Sequence, residues 1–263
     1  MVVLITGASS GFGQLLAARL RAQGHTVFGT SRNPDGAGDD APLLRLDVRD
    51  DESVRACVAH VREVAGPVDV LVNNAGYVQE GPFEEVSIDD LQAQFDTNFF
   101  GAVRMANAVL PDMRRRRQGR IINVGSMAGV IPLPFLGPYC ASKHALDSYS
   151  ESLFHELRPL GIGVHVVEPS YYRTGIAGRK RRAPPSIADY DDQRRRMFRT
   201  IQRDEEERAG PPDPVVDLLT RIVEGRVSRF RHVLGPDAIT WYLRGVVPEW
   251  VWIFGMRRAT GLD

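Results

Sequence analysis

An α/β fold, with a doubly wound parallel sheet covered by helices on both faces, is predicted by three features of this 263-residue sequence. Short apolar runs alternate with helix-length segments from the first residue onward. The runs are continuous in apolar character, as strands buried on both faces require, and the first of them feeds a glycine-rich turn that opens a helix.

Val2–Ile5 reads as a buried strand, Gln14–Gln23 as a helix, His25–Thr30 as a second strand and Leu43–Leu46 as a third. A helix over Asp51–Val64 closes near Gly66-Pro67, before the apolar strand Val68–Val72. Ile88–Met113 is helical with an expected break, Arg120–Val124 is a strand, Pro138–Arg158 a helix and Gly163–Glu168 a strand. From 178 to 214 the composition turns to Arg, Pro, Asp and Glu around a polar helix at Asp191–Glu207, a surface insertion suited to folding over a substrate. Pro214–Val223 is a short helix and Phe230–Leu234 a strand or loop, and an apolar extension occupies 235–263. No linker interrupts the pattern, so residues 1–263 are expected to form one domain.

Thirty-three basic and 33 acidic residues cancel, which argues against a nucleic-acid partner. The run Arg114–Arg117, with Arg120 behind it, fits a solvated helix end better than a phosphate patch. Cys57 and Cys140 form no disulfide framework and no metal-binding pair, and the opening residues lack a secretory pattern. A cytoplasmic setting is expected, with no metal. The run Ile239–Met256 is broken by Arg244 and Glu249 and falls short of a membrane span. It can still bury a face against the body or a partner, or touch a membrane peripherally.

The turn Thr6-Gly7-Ala8-Ser9-Ser10-Gly11-Phe12-Gly13 lies between the first strand and the first helix. Glycines there permit a sharp turn and bring bare backbone and a helix N-terminus to a pyrophosphate. The Lys-Ser/Thr pair of a mononucleotide P-loop is absent, Gln14 and Leu15 standing there instead. Ser31-Arg32 ends the second strand, where a guanidinium holds a ribose 2′-phosphate and a carboxylate would repel it, so NADP(H) is expected over NAD(H). After the third strand, Asp47-Val48 is placed to accept from the adenine amino group or to cap the next helix.

Tyr139 and Lys143 stand four residues apart in a helical segment and so share a face. Such spacing is common among surface pairs; here it gains meaning because a phenol needs a nearby cation to act on protons at neutral pH. Ser126 follows the strand Arg120–Val124, at the carboxyl edge where open α/β sheets keep their chemistry, although a serine in a turn also bonds its own backbone. Asn73-Asn74-Ala75-Gly76 closes the fourth strand beside the expected cofactor, and Asn98 sits inside a helical segment where asparagine is unfavourable and a local irregularity is expected.

Taken together, these residues resemble the short-chain dehydrogenase/reductase family over Val2 to Leu234. Thr6-Gly7-x-x-x-Gly11-x-Gly13 looks like its cofactor motif, Asn73-Asn74-Ala75-Gly76 like its central-strand motif, and Asn98, Ser126, Tyr139 and Lys143 like its catalytic tetrad. The resemblance implies a Rossmann-like sheet of about seven strands, hydride delivery from C4 of a nicotinamide, Tyr139 as proton donor in reduction, and Asn98 holding a water that links Lys143 to a proton relay. It implies a cofactor site made by Thr6, Gly7, Ser9, Ser10, Gly11, Phe12, Gly13, Ser31, Arg32, Asp47, Val48, Asn74, Ala75, Gly76, Tyr139, Lys143, Pro169 and Thr174. The helices containing Asn98 and Tyr139 form the dimer surface in such proteins, so a homodimer is expected, with a tetramer as its extended form.

Members similar to NADPH-using 17β-hydroxysteroid and retinol dehydrogenases look nearest, given Ser9, Arg32, the insertion and the apolar tail. One departure is Ser170, where the family has glycine after Pro169; it is expected to narrow the nicotinamide pocket. Met127, Leu133, Phe135, Leu136, Tyr171, Tyr172, Met197 and Phe198 are the expected pocket walls, favouring an apolar steroid-, retinoid- or polyketide-like ketone or alcohol. The alternatives are an epimerase or dehydratase on the same fold, and a nucleotide-binding sensor without turnover.

Overall fold

The computed structural model describes residues 1–34, 42–174 and 180–261. The main sheet takes its strands from β1 (Val2–Ile5), β2 (Thr26–Ser31), β3 (Leu44–Arg45), β4 (Val70–Asn73), β6 (Gly119–Val124), β7 (Ile162–Pro169) and β9 (Arg231–Leu234). Its seven strands run in the order β3-β2-β1-β4-β6-β7-β9, and all six pairings are parallel. The order reverses between β1 and β4, which opens a crevice at their carboxyl ends.

Alternation along each strand sorts side chains into two cores. Leu4, Leu71, Ile121 and Val164 face one way, against Val54, Val58 and Val61 of α2 (Asp51–Ala65), Met105, Val109 and Met113 of α4 (Gly101–Arg116), and Leu153 and Leu157 of α5 (Gly137–Leu157). Val3, Ile5, Val72, Ile122 and Val167 face the other way, against Leu16 and Leu20 of α1 (Gly11–Ala22) and Val215, Leu219 and Ile222 of α7 (Asp213–Val223). Helices on both faces and continuous apolar strands are thus one fact: each strand residue has a covered side.

The expected break in the long helical segment is a π-helical turn, Asp96–Phe100, between α3 (Ile88–Phe95) and α4. Arg114, Arg115 and Arg116 form the last turn of α4, and Arg117 closes it in the left-handed conformation at φ 54°. Arg116 pairs with Asp69 at 2.7 Å and Arg115 with Asp112, so this run is a helix end. Helix α2 is capped by Asp50, whose carboxylate accepts from Glu52 and Ser53, and not by Asp47.

Two strands and two helices were not foreseen. β5 (Val78–Glu80) pairs in parallel with β8 (Lys180–Arg182) in a small second sheet. Within the insertion, α6 (Asp191–Glu207) has the expected bounds, while the apolar run after residue 238 divides into α8 (Ala238–Arg244) and α9 (Glu249–Thr260). Gly245 and Pro248 separate them. No helix among the described residues is long and apolar enough to cross a membrane. Of the insertion expected at 178–214, the first two residues lie outside the described ones.

Candidate active site

Strand β1 runs into the glycine turn, where Gly7 has φ +66° and Gly11 φ +59°, conformations that glycine adopts without steric penalty. A Cβ on Gly7 would lie 2.9 Å from Cα of Ala75, and one on Gly13 would lie 2.6 Å from the Asn74 amide nitrogen. The turn therefore presses on the end of β4, and Thr6 holds it there. Its hydroxyl accepts from the N–H groups of Asn74 and Ala75, each at 3.0 Å. The Asn74 amide donates to the carbonyls of Thr6 (3.0 Å) and Gly7 (2.9 Å). Ser10 occupies the N-cap of α1 without a side-chain cap, and the first turn holds no acidic residue. Ser10, Gly11 and Phe12 line the main cavity, so an uncapped helix N-terminus opens on it. The bare backbone, the excluded Cβ positions and the uncapped donors all fit the diphosphate of a dinucleotide.

That cavity measures about 930 Å³ and is also lined by Asn74, Gly76, Ser126, Tyr139, Lys143, Pro169, Ser170 and Thr174. Tyr139 and Lys143 lie one turn apart on α5, which begins with Pro138 in its first turn. The loop delivering α5 is held in an uncommon shape: Phe135 has φ +63°, locked by edge-on packing against Tyr190 at 6.4 Å and Phe198 at 6.1 Å.

The phenol of Tyr139 is buried, which pushes its pKa up to about 12, against the opposing effect of a hydrogen bond with Ser126. Ser126 also accepts from the N–H of Ala128 at 3.2 Å, which caps its own turn. Lys143 is buried as well, and desolvation pulls its pKa down to about 8. Its Nζ donates to the Val124 carbonyl at 2.8 Å and stands 5.9 Å from the Tyr139 ring centre. The ammonium at position 143 is expected from the sequence to lower the phenol's pKa; here burial is the largest effect and raises it.

Asn98 does not line this cavity. It sits in the π turn, where its Oδ1 accepts from Tyr77 N–H at 3.2 Å and its Nδ2 donates to Tyr77 O and Ser142 Oγ, each at 3.1 Å. It stitches the loop after β4 to α5. A small void of about 10 Å³ lies between Asn98, Lys143, Thr6 and Asn73, close to the volume one water needs.

Ser31 and Arg32 stand at the end of β2 and Asp47 just beyond β3, all outside the main cavity. Asp47 pairs with Arg49 at 2.6 Å, chiefly through that contact its carboxyl is held low, and nearby Arg32 adds to the effect. Val48 is buried against Gly101. Asp35, three positions after Arg32 in the sequence, lies outside the described residues.

Of the expected walls, Met127, Leu133, Leu136, Tyr171, Tyr172 and Met197 line the cavity, whereas Phe135 and Phe198 pack behind it. Val78, Ile131 and Ile201 complete an apolar wall around Tyr139. Ser170 has a specific partner: its hydroxyl donates to Asp237 at 3.0 Å, and a Cβ on Gly235, at φ +123°, would lie 2.5 Å from the Ser170 Cβ. The departure from the family glycine is thus matched by a glycine at 235, and it ties the loop after β7 to the start of the C-terminal extension.

Sequence reasoning missed the charged part of the lining. Lys180 bridges Glu80 (3.2 Å) and Glu205 (2.5 Å), and Arg208 bridges Asp204 (3.4 Å) and Asp237. Tyr77, which also lines the cavity, lies under the Arg181 guanidinium at 4.7 Å.

A family profile described as short chain dehydrogenase matches residues 1–185. The chain belongs to the short-chain dehydrogenase family. It is 40% identical over 238 residues to a 3-ketodihydrosphingosine reductase of Bacteroides thetaiotaomicron, covering 89% of this chain and 88% of that protein. It is 39% identical over 251 residues to estradiol 17-beta-dehydrogenase 1 of Rattus norvegicus, covering 88% and 72%. A short-chain dehydrogenase from Streptomyces avermitilis superposes over 100% of this chain and 98% of its own, with a TM-score of 0.84 and 33% identity. As a family member related to steroid dehydrogenases, the chain is an oxidoreductase acting on a carbonyl/alcohol pair, with a fold suited to NAD(P)(H).

Burial of Lys143 has a consequence for stability. Its folded pKa of about 8 lies below the ordinary 10.5, so below pH 8 the folded chain must hold a desolvated charge that the unfolded chain hydrates freely. That penalty fades as pH rises from about 8 to 10.5, because the folded amine sheds its proton first. Lys143→Met should therefore melt above the parent at pH 7, with the gap shrinking over that window; a gap that stays constant with pH, measured by calorimetry, contradicts the assignment.

Proposed function

We propose that this chain is an NADP(H)-dependent reductase of a ketone carried on a large apolar substrate, with Ser126, Tyr139, Lys143 and Asn98 as its working residues. The observation that carries the reading is one apolar-walled cavity lined together by the Ser126 and Tyr139 hydroxyl residues, by Lys143 and by Ser10, Gly11 and Phe12 of the glycine turn. In this reading the turn Thr6–Gly13, with Ser9 and Ser10, holds the diphosphate. Ser31 and Arg32 take the 2′-phosphate, Asp47 and Val48 border the adenine, and Asn74, Ala75, Gly76, Lys143, Pro169 and Thr174 border the nicotinamide half. When bound, the reduced nicotinamide supplies the hydride.

The chain's own residues manage charge and protons. Ser126 and Tyr139 donate to the substrate oxygen, holding it as negative charge grows there. Burial keeps the Tyr139 proton in place at neutral pH, so it is available to the alkoxide. Lys143, protonated below about pH 8, lies near enough to stabilise the phenolate that results. Asn98 takes a positioning part, fixing Tyr77 and Ser142 and bordering the void in which a relay water fits.

The relatives' names, a sphingoid-ketone reductase and an estradiol dehydrogenase, agree with the apolar wall in favouring lipid-like or steroid-like ketones. The insertion acts as the substrate cover, since α6 contributes Met197, Thr200 and Ile201 to the lining. A cytoplasmic homodimer through the faces of α4 and α5 completes the proposal, in keeping with two cysteines that are free and buried.

Tyr139→Phe should bind NADPH within about twofold of the parent yet lose about 10²-fold or more in ketone reduction, as removal of a general acid does. Fluorescence titration beside an absorbance assay over ketone and alcohol panels measures both. Binding without turnover by the parent across the panels would point to a sensor, and product without net cofactor consumption to an isomerase. Arg32→Asp should move the kcat/KM preference from NADPH toward NADH by roughly tenfold or more, from the loss of a charge-assisted phosphate contact; an unchanged ratio removes Arg32 from phosphate recognition.

A further inference from the structure

Helices α8 and α9 turn apolar stripes outward. Ile239, Tyr242 and Leu243 are exposed on α8, and Trp250, Ile253 and Phe254 on α9, spacings that place each trio on one helix face. Val246, 77% exposed, lies between the helices, and Trp250 is 74% exposed. These seven side chains are more than half of the large hydrophobic ones exposed among the described residues, so they form a concentrated apolar surface. The same two helices line the main cavity from its other side, through Thr240, Met256 and Thr260.

Charge selects the occupant. Residues 238–261 carry Arg244, Arg257 and Arg258 against a single carboxylate, Glu249. Arg196 of α6 donates to the Gly261 carbonyl at 3.5 Å, bringing another guanidinium to the end of α9. A twofold contact through this face would crowd the guanidinium groups of both copies together, with one acid each to offset them. An anionic lipid surface meets the same patch with opposite charge. Tyr242 and Trp250, both exposed, suit that setting too, because indole and phenol rings favour the headgroup boundary.

We propose that α8 and α9 form a docking surface for an anionic lipid bilayer, lying in the boundary between headgroups and acyl chains without crossing it. The cavity then stands about one helix diameter, roughly 10 Å, from the lipid. This surface is distinct from the α4 and α5 faces assigned to the homodimer, and it does not depend on which ketone is reduced.

All three tryptophans of the chain lie between residues 241 and 252, so their fluorescence reports this region alone. The purified full chain is titrated with vesicles of phosphatidylcholine, and separately with equimolar phosphatidylcholine and phosphatidylglycerol. A blue shift and co-sedimentation are expected with the anionic vesicles, weakened by salt, and little of either with the neutral ones. Ile253→Ser with Phe254→Ser should weaken vesicle binding at least about tenfold while leaving the thermal midpoint and the sedimentation coefficient near the parent's. Arg258→Glu, which removes no large apolar side chain, should weaken binding to the anionic vesicles as well. Absence of binding to anionic vesicles, equal binding to neutral ones, undiminished binding by both variants, or dissociation of a dimer by the double serine variant would each overturn the proposal.

Discussion

Burying an ammonium and a phenol one helical turn apart is the constraint on which the site depends. Each group alone resists burial in its charged form, and the surroundings answer them differently. Lys143 finds an acceptor in the Val124 carbonyl, at the carboxyl end of β6. Tyr139 stays neutral among Val78, Leu136, Met197 and Ile201, with Ser126 as its polar partner. Burial thereby moves the two groups in opposite directions, the phenol upward and the ammonium downward.

Keeping that geometry requires α5 to be fixed in rotation against the sheet. Four residues on one stripe do this: Tyr139, Lys143, Asp147 and Glu151 repeat every fourth position. The last two bind Arg231 of β9, which also holds Glu168 of β7 at 3.0 Å. Burial and the Asp147 charge push the Glu168 carboxyl upward, so the network favours a shared proton over a full set of charges. At the other end of the crevice, Asn74 and Thr6 bind the glycine turn to β4, so the turn and α5 are referred to the same central strands. Asn123 of β6 continues this bracing: it accepts from Asn73 at 2.9 Å and donates to Ser150 of α5 at 2.8 Å.

The main sheet was legible because strands buried on both faces are rich in apolar residues, as Val2–Ile5 and Val70–Val72 are throughout and β6 is at Ile121, Ile122 and Val124. The misfit of Asn98 in a helix was legible too, and it corresponds to the π turn. What stayed hidden has an identifiable physical cause. Lys180, Arg181 and Arg182 fall in the polar insertion with no strand pattern of their own, yet they form a strand because Val78–Glu80 lies beside them across about a hundred residues of chain. Glu80 is fully buried in ion pairs with Lys180 and Arg182, and composition cannot distinguish such a carboxylate from a surface one. Phe135 and Phe198 carried the same aromatic signal as true lining residues but pack behind the cavity. In α8 and α9 the usual polarity is inverted, apolar side chains facing out, so a pattern tuned to buried stripes gave no direction.

The glycine turn, the buried phenol and the apolar wall become one account only if hydride passes from the cofactor to a carbonyl carbon at the Tyr139–Ser126 pair. Reduction with NADPH deuterated at the transferable C4 position, followed by mass analysis of the alcohol, tests that transfer directly. The account requires one deuterium on the new carbinol carbon of each product molecule. Alcohol formed with no label from the cofactor, or cofactor oxidised with the label left out of the product, would contradict it.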